Sequence, residues 1–71
     1  MLGIRYYRQQ RRVSQDKLGY LASTTQATVS LIERGFLRPD DELLDRIAAV
    51  LGVSPAFLLL RDVDPQEERS A

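Results

Sequence analysis

The sequence predicts a small all-α domain, a compact bundle of five helices. Apolar residues recur every three to four positions in several segments, as they do on the buried side of an amphipathic helix. N-capping residues precede these segments, and Gly35 and Gly52 follow two of them. The 71 residues suffice for one small domain with one core. We therefore expect a single helical domain over residues 1–61, followed by a polar tail over residues 62–71 that we expect to be disordered.

Each helix follows from a cap and an apolar stripe. We predict α1 over about residues 2–11, α2 over about 15–22, α3 over about 26–34, α4 from near Asp40 to Leu51 and α5 from Pro55. Ile4 and Tyr7 share one face of α1 with Arg8. The stripe of α4 comprises Leu44, Ile47, Ala48 and Leu51, widened by Leu43 and Val50. Capping and a solvated face explain the acidic residues of α4 better than a metal site does.

The segment between Ser14 and Gly35 is predicted to fold as two short helices joined by a tight turn. Ser14 and Thr25 are good N-caps for α2 and α3. The inner faces are expected to carry Leu18, Leu21 and Ala22 in α2, and Val29 and Ile32 in α3. Such a pair, with its second helix presented outward, is a helix-turn-helix, and that second helix enters the DNA major groove.

The same segment resembles a known family. The resemblance is carried by Ser14-Gln15, Leu18, Thr25-Gln26, Val29-Ser30 and Ile32-Glu33-Arg34-Gly35, with Pro39 behind them. At these spacings the chain is similar, from about Ile4 to Leu59, to the phage repressor/Cro-like (lambda-repressor-like, Xre-type) DNA-binding domain. The resemblance implies a sequence-specific transcriptional regulator that binds double-stranded DNA, and we expect a repressor that acts as a dimer on a palindromic operator.

The sequence departs from the family pattern at several positions, three of which concern helix packing and the turns. Gly19 replaces the usual alanine, and we expect it to make room for α3, with Val29 crossing over that spot. Ser23 stands where the family often places a left-handed glycine, so the turn is expected to differ in detail. Arg12 replaces a glycine at the end of α1, which predicts a looser cap.

The resemblance assigns base readout to the outer side of α3. Gln26 matches the family's main base-reading glutamine, and an amide can bond adenine N6 and N7 together. Ala27 and Leu31 can touch a thymine methyl group, and the Ser30 hydroxyl can donate or accept. The alternative for Gln26 is an ordinary solvated side chain.

Phosphate contacts are expected around the same helix pair. Gln15 matches a family residue that anchors the DNA backbone. The other candidates are Thr25, Thr28, Arg34 and Arg38, with Arg11 and Arg12 near flanking phosphates. Each of these residues could instead be a cap or a solvated charge.

Two further pairs of residues have structural roles to fill. The family counterparts of Arg8 and Glu33 form an ion pair beneath the DNA-binding surface, and the alternative is two surface charges. In α5 the run Phe57 to Leu60 points in all directions around a helix, so some of it must leave the core. We expect Phe57 and Leu60 to lie near the centre of a homodimer contact.

Charge is divided between the two halves of the chain. The net charge is zero overall, but residues 1–38 hold seven cations and two anions, a net charge of +5. Residues 39–71 hold three cations and eight anions, a net charge of −5. The basic half contains the helix-turn-helix, as an oriented DNA-binding face requires.

Composition excludes several other functions. With no histidine and no cysteine, the chain has neither a Ser-His-Asp arrangement nor a thiolate or histidine metal site, so we expect no enzyme and no cofactor. No apolar run is long enough for a membrane span, and a cytoplasmic protein is expected.

The competing hypothesis for the function is a protein-interaction module, such as an antitoxin-like or adaptor subunit that holds a protein partner. Whether the chain is complete or the N-terminal domain of a longer protein stays open.

Overall fold

The computed structural model describes residues 2–60, and that part of the chain is helical with no strand. The helices are α1 (Leu2–Gln10), α2 (Gln15–Leu21), α3 (Gln26–Glu33), α4 (Asp41–Leu51) and α5 (Pro55–Leu60). The all-α, five-helix prediction is confirmed, and each helix start and each of the four predicted helix ends lies within one residue of its predicted position. The expected tail, residues 62–71, lies outside the described residues.

One apolar core joins all five helices. Its buried members are Ile4, Leu18, Ala22, Val29, Ile32, Ile47, Ala48, Leu51 and Leu58. Partly buried residues pack around them, namely Tyr7, Val13, Leu43, Leu44, Val50 and Val53. None of the helices in the described range is long and apolar enough to cross a membrane.

Leu21 was expected on the buried face of α2, and that expectation is wrong. Its side chain is 47% exposed, whereas Leu18, Gly19 and Ala22 are buried. These three residues define a buried side whose centre lies about 100° around the helix from Leu21. Because Gly19 belongs to the buried side of α2, Leu21 lies outside that side.

The predicted N-caps are formed. The Ser14 hydroxyl accepts a hydrogen bond from the Lys17 N–H at 3.0 Å, and the Asp40 carboxylate accepts one from the Leu43 N–H at 2.8 Å. Glu42 pairs with Arg46 at 3.0 Å, one turn further along α4. The acidic start of α4 thus serves as a cap and a solvated face. Within residues 2–60, no cluster of acidic residues is arranged to hold a metal ion.

Four helices end in the same backbone motif. Arg12, Ser23, Gly35 and Gly52 follow α1 to α4, with φ of 56°, 59°, 83° and 72°. In each case the N–H of the left-handed residue donates to the carbonyl three residues earlier. The next N–H donates to the carbonyl five residues earlier, as Phe36 does to Leu31 at 2.9 Å. This pair of bonds is the Schellman motif, which satisfies carbonyls at the end of a helix.

Two expectations, one for the turn at Ser23 and one for the cap at Arg12, were wrong. The turn after α2 does not differ from a glycine turn, and α1 does not end in a looser cap, because both residues adopt the left-handed conformation. That conformation costs a residue with a side chain about 1 to 2 kcal/mol. The two hydrogen bonds of each motif offset this cost, and at α1 the Arg8 guanidinium also donates to the Val13 carbonyl at 2.9 Å.

Gly19 allows α2 and α3 to touch through their backbones. A Cβ added at Gly19 would lie 2.6 Å from the Thr25 carbonyl carbon and 2.9 Å from the Gln26 nitrogen. The close approach was expected at Val29, but the three nearest atoms belong to the Thr25–Gln26 peptide. The contact therefore fixes the first residue of α3 against α2.

Candidate nucleic-acid interface

The two long sides of α3 have opposite environments. Val29 and Ile32 are fully buried on its inner side, and Glu33 is buried beside them. Gln26 and Ala27 are exposed on its outer side together with Leu31, and Ser30 is half-buried at the edge. The residues expected to read bases therefore share one accessible face of a helix that packs through the other.

The start of α3 is fixed from two directions. The Thr25 hydroxyl accepts a hydrogen bond from the Thr28 N–H at 3.1 Å and caps the helix. The peptide that leads into Gln26 rests on Gly19 of α2. Because its backbone is held on both sides, the exposed Gln26 amide leaves the surface at a defined point.

A buried ion pair supports α3 from behind. The Arg8 Nε donates to Glu33 Oε2 at 2.7 Å, and its Nη2 donates to Oε1 at 3.1 Å. The side chains are 13% and 3% exposed. A bidentate pair of this kind fixes direction as well as distance, so α1 and the end of α3 are held in one orientation.

Gln15 belongs to the same network. Its Nε2 donates to Glu33 Oε1 at 3.1 Å, so the start of α2 is tied to the carboxylate that Arg8 holds. An amide nitrogen carries two hydrogens, so the bond to Glu33 leaves the second one for another acceptor. The phosphate contact of Gln15 stays a prediction, and its link between three helices was not predicted from the sequence.

The two threonines have unequal freedom. The Thr25 hydroxyl donates to the Thr28 hydroxyl at 3.0 Å while it accepts the Thr28 N–H, so its proton is used within the fold. The Thr28 hydroxyl proton has no such use in these bonds. Of the two predicted phosphate donors, Thr28 is the one with a proton to give.

The predicted phosphate-binding arginines fall into two groups. Arg34 and Arg38 are exposed on either side of the loop that follows α3. Arg11 instead donates through Nε to the Leu51 carbonyl at 3.0 Å, and its guanidinium lies 5.7 Å from the centre of the Tyr7 ring. Arg11 thus closes the end of α4, a role that the sequence did not suggest. Arg12 is exposed at the left-handed position after α1.

Arg46 is a structural residue that the sequence reading missed. Its Nε donates to the Ala22 carbonyl at 2.8 Å, where α2 ends. The sequence shows only that Arg46 stands four residues after Glu42. A signal for the longer contact exists only in three dimensions, because it depends on how α4 crosses α2.

The outer side of α5 is apolar. Leu58 is buried, but Phe57 and Leu59 are half-exposed, and the side chain of Leu60 lies outside the described part of the chain. Leu59 also lines a cavity of about 240 Å³ with Leu37, Leu44 and Arg38. The predicted dimer residue Phe57 is therefore accessible to a partner.

A family model described as helix-turn-helix matches residues 4–58, which is most of the chain. Comparisons with curated proteins and with solved structures gave no match. The matched range begins in α1 and ends in α5, so it covers α2, α3 and α4 completely and most of the other two helices.

Proposed function

Since this chain belongs to the phage repressor/Cro-like helix-turn-helix family of DNA-binding transcription regulators, which is not an enzyme family, we propose that it reads a specific DNA sequence through α3. In this proposal it acts as a repressor, as a homodimer on a palindromic operator. It would work where the chromosome is accessible, in the cytoplasm. The observation that carries the proposal is the contrast between the buried and the exposed sides of α3.

Base readout is proposed for Gln26, Ala27, Ser30 and Leu31. The amide of Gln26 suits adenine, and the apolar surfaces of Ala27 and Leu31 suit a thymine methyl group. Gln26, Ala27 and Leu31 are exposed on one helix face with Ser30 at its edge, which supports a single docking geometry in the major groove. The Thr25 cap and the Gly19 contact stabilise that geometry before any DNA arrives.

Phosphate contacts are proposed for Gln15, Thr28, Arg34 and Arg38, with Thr25 in a supporting position. The exposed Arg34 and Arg38 supply charge, and charge neutralisation makes binding depend on salt. Gln15 and Thr28 supply neutral donors beside the start of each helix, while Thr25 contributes through its cap on α3. Contacts of this class set the register of the protein on the duplex.

Dimerisation is proposed through α5, with Phe57 and Leu60 near the centre of the contact. The half-exposed Phe57 and Leu59 supply apolar surface that a second copy would bury. The two recognition helices would then meet half-sites about 34 Å apart, one turn of DNA. Sedimentation should show a dimer on DNA, and a monomer at high concentration both free and on DNA would contradict this part of the proposal.

A protein-interaction module is the second candidate function. The same apolar side chains of α5, together with the exposed Leu37, could hold a different protein. In that case α3 would prefer no DNA sequence, and the acidic second half of the chain would contact the protein partner.

Selection of bound sequences from a random duplex library separates the two candidates. A recovered palindrome with two half-sites one turn apart supports the repressor. Retention of the recovered duplex should fall steeply between a low and a high salt concentration, because phosphate contacts release counterions. A chain that retains no duplex at low salt would favour the interaction module.

A further inference from the structure

Phe36 differs from the residues at equivalent positions of the other helix ends. Each of the four Schellman motifs is completed by the residue after the left-handed one, namely Val13, Thr24, Phe36 and Val53. Val13 and Val53 pack against the core, and Thr24 is half-buried. Phe36 is 75% exposed. An apolar residue at this position commonly packs back on its own protein, so the exposure of Phe36 requires another explanation.

The backbone of Phe36 is fixed even though its ring is exposed. Its N–H donates to the Leu31 carbonyl at 2.9 Å, and Gly35 before it has the φ of 83° that the motif requires. The ring therefore leaves the protein from a defined point at the end of α3. An exposed aromatic group on a fixed backbone can serve as a platform for a neighbour.

That neighbour is Arg34. Its Cζ lies 5.4 Å from the centre of the Phe36 ring, which is within the range of about 6 Å for a cation–π contact. A guanidinium that stacks on a ring keeps its N–H groups at its edge, where they can meet a phosphate. An arginine held in this way also loses less side-chain entropy when it binds.

We propose that Phe36 is a positioning residue for DNA binding, which holds the Arg34 guanidinium in place to contact the phosphate backbone. The proposal rests on the proposed function, because it assigns Phe36 a part in the phosphate contact of Arg34. Phe36 acts through Arg34 and has no role in choosing the sequence. Its contribution should therefore be equal on matched and scrambled duplexes.

The test compares Phe36→Leu with Phe36→Tyr, each in the parent and in an Arg34→Ala background. Phe36→Leu keeps an apolar side chain but removes the ring, and it should weaken binding to every duplex about two- to five-fold per protomer. Phe36→Tyr should bind like the parent. Within the Arg34→Ala background, Phe36→Leu should cause no further loss. Tyr20→Leu is the matched control, since Tyr20 is 82% exposed on α2, and it should leave binding unchanged.

Thermal unfolding of each variant excludes a merely structural effect, because a ring this exposed contributes little to the core. A Phe36→Leu variant that binds like the parent overturns this proposal alone, as does an equal loss in both backgrounds. A parent that binds no duplex at any salt concentration overturns the proposed function and this inference together.

Discussion

The inner and outer sides of α3 are built for different purposes. The inner side holds Val29 and Ile32 without exposed surface, and it ends at Glu33 in a hydrogen-bonded ion pair. The outer side exposes Gln26 and Ala27, whose side chains take no part in the hydrogen bonds described above. The difference shows that α3 is held by its inner side, which leaves the outer side accessible for the DNA contacts proposed above. Changes on the inner side should cost stability, and changes on the outer side should cost binding.

The largest effect on stability is expected at the ion pair. Arg8→Ala would leave the Glu33 carboxylate buried without its arginine, and breaking a buried pair costs about 3 to 5 kcal/mol. Chemical denaturation of the variant should show a fall of this size in the free energy of unfolding. Since a domain this small has only about 3 to 5 kcal/mol in total, partial unfolding is expected.

The exposed pair on α4 is the matched control for Arg8→Ala. Glu42 is 84% exposed and lies 3.0 Å from Arg46, and pairs of this kind contribute about 0 to 1 kcal/mol. Glu42→Ala should therefore unfold near the parent. A loss of under half a kcal/mol for Arg8→Ala, about equal to the control, would show that the buried pair does not hold α3.

The next effect concerns the contact between α2 and α3. Gly19→Ala should destabilise the fold by about 1 to 3 kcal/mol, because the new methyl group meets the backbone of α3 and must push it away. Helix propensity alone predicts the opposite, a gain of about 0.5 to 1 kcal/mol for alanine. Thermal unfolding therefore gives a clear sign. Ala49→Gly is the control: at an exposed position of α4, it measures the difference in helix propensity between alanine and glycine without a steric contact.

A smaller change of the opposite sign is expected at the turn. Ser23 has a φ of 59°, and glycine adopts this conformation without a steric cost. Ser23→Gly should therefore stabilise the domain by about 0.5 to 1 kcal/mol in denaturation. Ser14→Gly is the control, because Ser14 has a φ of −72° and caps α2. An unchanged or lower stability of Ser23→Gly would mean that the left-handed serine carries no strain.

The fold followed from the sequence to a large extent, because its signals are local. Caps such as Ser14 and Asp40 and the apolar stripe of α4 mark helix ends and buried faces without any knowledge of tertiary structure. The same signals predicted which side of α3 is exposed. They also predicted the residues that terminate α3 and α4, since glycine favours the left-handed conformation that both ends adopt.

The remaining details depend on how helices cross. Periodicity placed Leu21 in the core, but the burial of Gly19 turned the face of α2 away from it. The contacts of Arg11 with the end of α4 and of Arg46 with the end of α2 join residues 40 and 24 positions apart. No short sequence pattern predicts contacts between residues so far apart in the chain. The left-handed Arg12 and Ser23 were missed because the surrounding fold overrides their own preference.

The smallest change in stability is expected on the outer side of α3, and the same substitution tests the proposed function most directly. Gln26→Ala should shift the free energy of unfolding by less than about 0.5 kcal/mol, because the side chain is exposed. On the preferred duplex it should cost about 1 to 3 kcal/mol of binding and relax the preference for adenine. Its salt dependence should match the parent, since no charge is lost.

Arg38→Ala is the matched variant, and it should behave in the opposite way. It should weaken binding to matched and scrambled duplexes about equally and reduce the salt slope by about one unit. The deciding measurement is a titration of parent, Gln26→Ala and Arg38→Ala against both duplexes at several salt concentrations. We predict a loss of specificity in the first variant and a shallower salt dependence in the second. If Gln26→Ala binds both duplexes as the parent does, α3 is not the helix that reads DNA.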